Sequence, residues 1–440
     1  MLVSRRLLLM ISLLVIISLA ILPACGGAAT PEPTKAPAAE PTKPAPAPTK
    51  PAAAPEPTKP AAAPAPTKPA AAAPAKEAPK GTIKVGIAGP FSGQLSKVGI
   101  DALNAAKFAF DEVNAAGGIA GMKIEVVEGD DGADPAKATA VAEKFGADAA
   151  VMGVVGPMTS GTVNAALPVY EKAGLVIISQ SATNPKLTEQ GFKVMHRIAP
   201  RDDDQGPAAA KFIAEDLKLK SIYLLDAKDT YSVGLTTEVE KKAKELGVTI
   251  LGHDQYNQED KDFSALLTRI KAAKPDLVYM PDPDPAHAAL FLKQAADLGV
   301  KFKFMVGEAG YEKAEFIDKA AGAAEGAYLT NIGPILANVP EAKDFVKNYT
   351  AKHGSLSVFS GQSYEAANIL AAAMKRAVKD GKITRADVLK EVHATKDYKG
   401  ILGAPVGFDD KGDLIGGTIY IFQVKDGDFV QLKTVSPRSK

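Results

Sequence analysis

In this 440-residue chain, hydroxyl groups, one tyrosine and one acid stand in short loops, each directly after an apolar run of β type. "AAVMGVV" is followed by "GPMTSGT", which brings Thr159 and Ser160 to the start of a helical pattern. "LVIIS" leads into "QSATNP" with Ser181 and Thr183, "SIYLLDA" into "KDTYSVG" with Tyr231, and "FKFMVG" into Glu308. Hydroxyls and free backbone N–H groups beside the positive end of a helix favour a carboxylate. An aromatic ring and an acid suit a side-chain or ammonium contact. A zwitterion caught between the two sets satisfies both. Each residue also has a plainer reading: Ser160 as a helix cap, Ser181 and Thr183 as turn formers, Glu308 as a solvated loop acid, Tyr231 as packing. Asp130, Asp131 and Asp134 in "DDGADP" read as a capped turn before the Pro135 helix rather than as a metal site.

Other chemistries lack their residues. The sequence has no nucleophile elbow, no phosphate loop, and no Ser/His or paired-carboxylate spacing of a catalyst. The five histidines, at 196, 253, 287, 353 and 393, are scattered, and one cysteine in the whole chain offers them no support as metal ligands. The expectation is therefore a binding protein, not an enzyme, with no cofactor and no metal.

The elements that position these loops alternate strand and helix from Gly81 onward. "TIKVGIA", "MKIEVVEGD", "AAVMGVV" and "LVIIS" read as strands, separated by helices at 100–116, Pro135–Phe145 and Ser160–Lys172. The rhythm repeats with helix Gln205–Leu217, strand "SIYLLDA", helix Val233–Leu246, strand "VTILGHD", helix Phe263–Ala273, strand "DLVYM", helix Ala286–Leu298 and strand "FKFMVG". Near-continuous Val/Ile/Leu strands between helices predict an α/β fold with parallel sheets covered on both faces. Two such sets predict two similar lobes. After Thr330 come three helices, about 340–353, 361–378 and 384–396, and then β segments from Pro405 to Val435, a tail that must complete both lobes. Ligands in open α/β sheets bind outside the carboxyl ends of the strands, where the loops above lie.

The region before Gly81 is of another kind. Arg5 and Arg6 precede an uncharged, mostly apolar run from Leu7 to Leu22, which ends at Pro23-Ala24-Cys25. This is the layout of an export signal, and at 16 residues the run is short for a spanning helix, which needs about 20. "LPAC" is similar to a bacterial lipobox, in which the cysteine is acylated and becomes the mature terminus. That gives Cys25 a role as lipid attachment point and residues 1–24 that of a lipoprotein signal peptide. Residues 25–80 are then a Pro/Ala/Lys-rich tether in which "PTK" recurs five times. Such a stretch has nothing to build a core from and favours extended polyproline II, about 3.1 Å per residue. Setting aside the two leader arginines and the tether's seven lysines and four glutamates leaves 43 basic and 47 acidic residues in the head. A mildly acidic head argues against nucleic acid as a partner.

"GIAGPFSG", "NAAGGIAG", "EGDDGADPAKA", "YEKAGLVIISQSATNPKLT", "DDDQGPAAAKF", "DFSALLTRIKAAKPDLVY" and "FDDKGDL" run in this order along residues 82 to 425. Together they resemble the branched-chain (leucine/isoleucine/valine) substrate-binding proteins of ABC importers, which are type I periplasmic binding proteins. The resemblance implies two Rossmann-like lobes, 82–200 with 332–408 and 201–331 with 409–440, joined by a three-strand hinge near Pro200, Thr330 and Asp409. It implies that Ser160, Ser181 and Thr183, beside Thr159, hold the ligand's carboxylate and amine. Glu308 would pair with the ammonium, Tyr231 would line the second lobe, and Phe359 would wall the pocket. Closure about such a hinge is an established motion of this class. The implied partners are an amino acid, a permease with its ATPase, and the membrane through the lipid anchor, for a monomeric head outside the cytoplasmic membrane. A ligand-sensing module for small amides or carboxylic acids, acting with a separate membrane signalling partner, is the alternative. The chain departs from the pattern at Val98 and Pro283, where branched-chain binders often carry aromatic rings, and at Ala133 and Thr159, where some relatives carry a cysteine pair.

Overall fold

The computed structural model describes residues 81–436; the leader, Cys25 and the tether lie outside the described residues. The first sheet is formed by β1 (Gly81–Gly89), β2 (Met122–Asp130), β3 (Val151–Val155), β4 (Ile177–Ser179) and β5 (Met195–Arg197), in the order β2-β1-β3-β4-β5 and parallel throughout. Helices α1 (Ser96–Ala115), α2 (Pro135–Ala147), α3 (Ser160–Ala173) and the single turn α4 (Lys186–Glu189) connect them.

After β5 the chain leaves this sheet through α5 (Asp202–Lys211), which ends in a wider π turn at Phe212–Asp216. It then builds a second sheet from β6 (Ser221–Asp226), α6 (Thr230–Glu245), β7 (Thr249–Gln255), α7 (Ser264–Ala273), β8 (Leu277–Tyr279), α8 (Pro285–Asp297), β9 (Lys303–Val306) and β10 (Tyr328–Asn331). Helices α9 (Lys343–His353), α10 (Ser360–Ala377) and α11 (Arg385–His393) follow, and then the hairpin β11 (Ile419–Lys425) and β12 (Asp428–Val435). The second sheet runs β12-β11-β10-β9-β8-β6-β7, with β11 and β12 antiparallel to their neighbours.

Ile83, Val85 and Ile87 of β1 pack with Phe110 of α1 and with Leu370 and Met374 of α10, so the late helix completes the first sheet's core. Leu225, Val278, Phe291, Phe304 and Phe422 make the corresponding core of the second, with Phe422 contributed by the C-terminal hairpin. Each large apolar side chain buried this way contributes about 1.5–3 kcal/mol. The tail therefore serves both halves, and the chain passes between them three times: after Arg197, after Asn331, and between Phe408 and Ile419.

Regular β structure in the tail is shorter than the span from Pro405 to Val435 expected for it. Regular strands occupy only Ile419–Val435, while the stretch before them forms isolated bridges, Tyr398 with Val406 and Phe408 with Leu414. Two short buried strands, β5 and β10, are not apparent from the sequence because "MHR" and "YLTN" carry polar residues and lack the continuous apolar run that marks β4, β8 and β9.

Among the described residues, no helix is long and apolar enough to cross a membrane.

Candidate functional site

Strand order locates the site. In the first sheet the chain switches direction between β1 and β3, and in the second between β6 and β8; crevices form outside the carboxyl ends at such points. A cavity of about 390 Å³ lies there. Leu95 follows β1, Met158, Thr159, Ser160 and Gly161 follow β3, and Ser181 follows β4. Facing them are Tyr231 after β6, Pro283 after β8, and Glu308 and Ala309 after β9, while Phe359 closes one wall ahead of α10.

The carboxylate-favouring wall is the start of α3. Thr159 is its cap, and its hydroxyl takes up the Thr162 N–H at 3.2 Å. Ser160 and Gly161 line the cavity, and the N–H groups of this first turn have no intrahelical acceptors. Ser160 is thus the first helical residue, not the cap, and its hydroxyl accepts from Asn184 N–H at 3.3 Å. Ser181 donates its hydroxyl to Met158 O at 2.8 Å, so it also ties the two loops to each other.

Opposite stands Glu308, buried to 3% exposure. Its Oε2 accepts from Tyr231 OH at 2.8 Å and from Gln205 Nε2 at 2.6 Å. Gln205 is itself held by Thr330 Oγ1 at 2.9 Å. Burial pushes the Glu308 carboxyl above its ordinary range, and the two neutral donors only partly offset that. Gly307 is required here: a Cβ at that position would lie 2.1 Å from Tyr231 OH, which would then be driven off Glu308. Asp229 caps α6 through the N–H groups of Tyr231 and Ser232, which fixes where Tyr231 enters the cavity.

Thr159, Ser160, Ser181, Tyr231, Glu308 and Phe359 therefore surround one cavity. Thr183 is not among the lining residues; it is fully buried, with its hydroxyl beside the carboxyl of Asp202. Ala133 and Pro283 line the cavity, whereas Val98 packs with Met158 and Phe359 behind it. Asp134 caps α2 at Lys137 N–H, Asp130 gathers the N–H groups of Phe91, Ser92 and Gly132, and Asp131 accepts from Ala133 N–H.

Three contributors escaped the sequence reading. Gln205 stands within the motif "DDDQGPAAAKF" but looks like an ordinary helical residue until its contact with Glu308, 103 positions away, is known. Asn184 donates to Thr230 O at 2.7 Å and so joins a loop of the first sheet to the helix start of the second. Arg197 is fully buried and holds the 182–184 loop from behind, donating to Ala182 O at 3.0 Å and Asn184 O at 2.8 Å.

Residues 82–428 match the family of periplasmic binding proteins. The chain is similar to the Leu/Ile/Val-binding protein homolog 1 of Brucella suis, with 36% identity over 331 residues, 75% of this chain and 87% of that protein. It is also similar to the leucine-, isoleucine-, valine-, threonine- and alanine-binding protein of Pseudomonas aeruginosa, at 34% identity, covering 76% and 87% of the two chains. Among solved structures, a branched-chain amino acid transporter substrate binding protein of Streptococcus pneumoniae, in complex with isoleucine, superposes with a TM-score of 0.74. That alignment has 29% identity and covers 81% of this chain and 100% of the other.

Proposed function

The chain belongs to the periplasmic binding protein family, and from that premise we propose that it is the extracytoplasmic receptor of an ABC importer, closing on an α-amino acid and delivering it to a membrane permease. It is a solute-binding protein and not an enzyme.

The carrying observation is the opposition of two unlike walls across one cavity. The start of α3 presents Ser160 and Gly161 N–H groups, and Glu308 presents a buried acid held by neutral donors. An α-carboxylate fits the first and an α-ammonium the second. Four or five charge-assisted hydrogen bonds at roughly 1.5–3 kcal/mol each exceed the about 8 kcal/mol that micromolar affinity requires, leaving a margin for ordering costs. The apolar lining between them, from Leu95, Met158, Ala309 and Phe359, suits an aliphatic side chain, and one relative is named for binding leucine, isoleucine, valine, threonine and alanine while another holds isoleucine.

Cys25 and the tether lie outside the described residues. Cys25 carries the lipid, the Pro/Ala/Lys-rich tether spaces the head from the membrane, and the head acts as a monomer whose lobes turn about the three passages between the sheets. Calorimetric titration of the purified protein with a panel of amino acids, small amides and aromatic acids tests the proposal. Saturable binding of one or more aliphatic amino acids supports it, and binding of amine-free acids alone would favour the sensing alternative instead.

A further inference from the structure

His287 is a buried titratable group that the site as described does not use. It lies in the first turn of α8 with its side chain fully covered, as is that of Asp282, the acid its ring meets. Nδ1 stands 2.7 Å from Asp282 Oδ2, and Nε2 stands 2.6 Å from Asp260 O. A backbone carbonyl can only accept, so Nε2 carries a hydrogen. A carboxylate also only accepts, and this one already takes the Tyr256 hydroxyl at 2.8 Å, so Nδ1 carries one too. A ring with hydrogens on both nitrogens is an imidazolium. Tyr256 and Phe263 lie against it with ring centroids at 5.4 and 4.8 Å, which suits a cation.

The two acceptors belong to segments that line the cavity. Asp260 closes a turn by donating its N–H to Asn257 O at 3.0 Å, while its carboxylate takes the Asn257 N–H at 2.8 Å. Asn257, Gln258 and Glu259 of that turn line the cavity. Asp282 is followed by Pro283, which lines it too, and its other oxygen accepts the Asp284 N–H at 2.8 Å. His287 thus fastens the segment after β7 to the segment after β8. Neither segment carries the groups assigned to the ligand's carboxylate or ammonium, so the wall they form is left for its side chain.

The charged and titratable groups facing His287 are Asp282 after β8, Asp284 at the cap of α8, and Tyr256 and Asp260 after β7. One step further, Asp229 at the cap of α6 faces Asp282, and Lys228 faces Asp260. Burial alone would lower His287. The bond to Asp282, the charge of that acid, the Asp260 carbonyl and the charge of Asp284 outweigh it and raise the group above the ordinary histidine value, 6.5.

We propose that His287 is a positioning residue for the wall that meets the ligand's side chain, and that it holds this wall only as an imidazolium. When the ring is deprotonated, one N–H bond breaks and its proton leaves to water. One of the two acceptors then faces a bare nitrogen, and the turn at 257–260 is no longer fastened to Asp282. A group raised in the folded protein contributes in full below its ordinary value and loses that contribution as pH rises through the raised one. Ligand affinity therefore holds up to about pH 6.5 and falls above it. This rests on the amino-acid reading of the cleft and adds the residue that shapes its side-chain end.

The test uses the full chain labelled with 15N-histidine, together with calorimetry of leucine binding from about pH 6 to pH 9. Near pH 7 the His287 signal, identified by its loss in His287→Gln, shows hydrogen on both ring nitrogens. Wild-type affinity falls about three- to tenfold across the range, the worth of roughly one hydrogen bond. His287→Gln is weaker by that factor from the start and shows no such fall. Both proteins share any titration of the ligand's own amine and of Glu308, so the difference between their curves reads His287. A single ring hydrogen near pH 7 in a wild type that binds leucine, or equal slopes in the two proteins, overturns the proposal. Should His287→Gln fail to fold, the signal is found by elimination through variants of the other four histidines. The ring must then titrate at the pH where affinity is lost, and a mismatch overturns the proposal. A wild type that binds no leucine brings down the aliphatic amino-acid reading itself, and this proposal with it.

Discussion

Arg197 and Asp413, 216 positions apart, are joined at 2.6 Å, with side chains 0% and 4% exposed. The pair ties the last strand of the first sheet to the third passage between the sheets. Arg201, on the first passage, grips the other oxygen of Asp413 at 2.7 Å. Thr188 donates to the same carboxylate. From this anchor Arg197 reaches forward to the carbonyls of Ala182 and Asn184. The loop behind the cavity is therefore braced against two of the passages between the sheets.

Removing one member of that pair leaves a buried charge behind. Asp413→Ala is expected to cost about 3–5 kcal/mol in urea unfolding. The pair also sets an acid limit. Burial raises the Asp413 carboxyl, but Arg197 and Arg201 outweigh it and hold the group below the ordinary carboxylate value. A carboxylate depressed in the folded state adds stability above its unfolded pKa, about 3.9, and loses it as pH falls through the folded value. Wild type should therefore lose stability below about pH 4 more steeply than Asp413→Asn, as followed by thermal unfolding across that range. Parallel curves would remove this pair from the acid limit.

Glu308→Gln should weaken amino acids about tenfold or more and leave amine-free acids little affected, since the lost interaction is a hydrogen bond to an ammonium. Equal loss for both classes, measured by titration calorimetry, would count against the ammonium assignment.

Asn184→Ala removes the hydrogen bond from the first half's loop to Thr230 O. A neutral bond of this kind is worth about 0.5–1.5 kcal/mol. The expected result is ligand release that is faster by roughly two- to tenfold, seen in stopped-flow displacement, with unfolding little changed. An unaltered release rate would mean that this contact does not help to retain the ligand.

Glu365 offers a test away from the cleft. It is buried in α10, its Oε1 is unpartnered, and burial raises its carboxyl to about 7. A carboxyl raised in the folded state binds its proton more tightly than in the unfolded chain. Stability therefore falls as pH rises from the unfolded value, about 4.3, to the folded one, and the penalty is complete above it. The size is on the order of 3–4 kcal/mol. Glu365→Gln should remove this slope and unfold at a higher temperature than wild type at pH 8; an unchanged slope between pH 5 and 8 would contradict it.

Cys25→Ala should move the protein from the membrane fraction to the soluble exported fraction and abolish incorporation of labelled fatty acid. Retention in the membrane would contradict the lipid anchor.

The strand and helix alternation was legible because each element carries its own periodicity, and the β-to-α loops, with Ser160 and Glu308 in them, followed from it directly. Partners were not legible. Periodicity reports which face is buried, but not that Gln205 would meet Glu308 or that Arg197 would reach Asp413, since both contacts depend on how distant segments cross. Thr183 shows the same limit at one position. Its residue type and loop pointed to the ligand, yet the turn that seats Ser181 at the cavity leaves Thr183 fully buried, beside the carboxyl of Asp202. The π turn at Phe212–Asp216 left no sign in the apolar spacing, which continues through it as if helical.

The central claim is that one small zwitterion bridges the two walls of the cleft, and a crystal structure of the protein grown with leucine tests it most directly. The account predicts the ammonium within hydrogen-bond distance of the Glu308 carboxylate and the carboxylate against the N–H groups of Ser160 and Gly161. Leucine in the reverse orientation, or lodged outside the space between the two sheets, would contradict it.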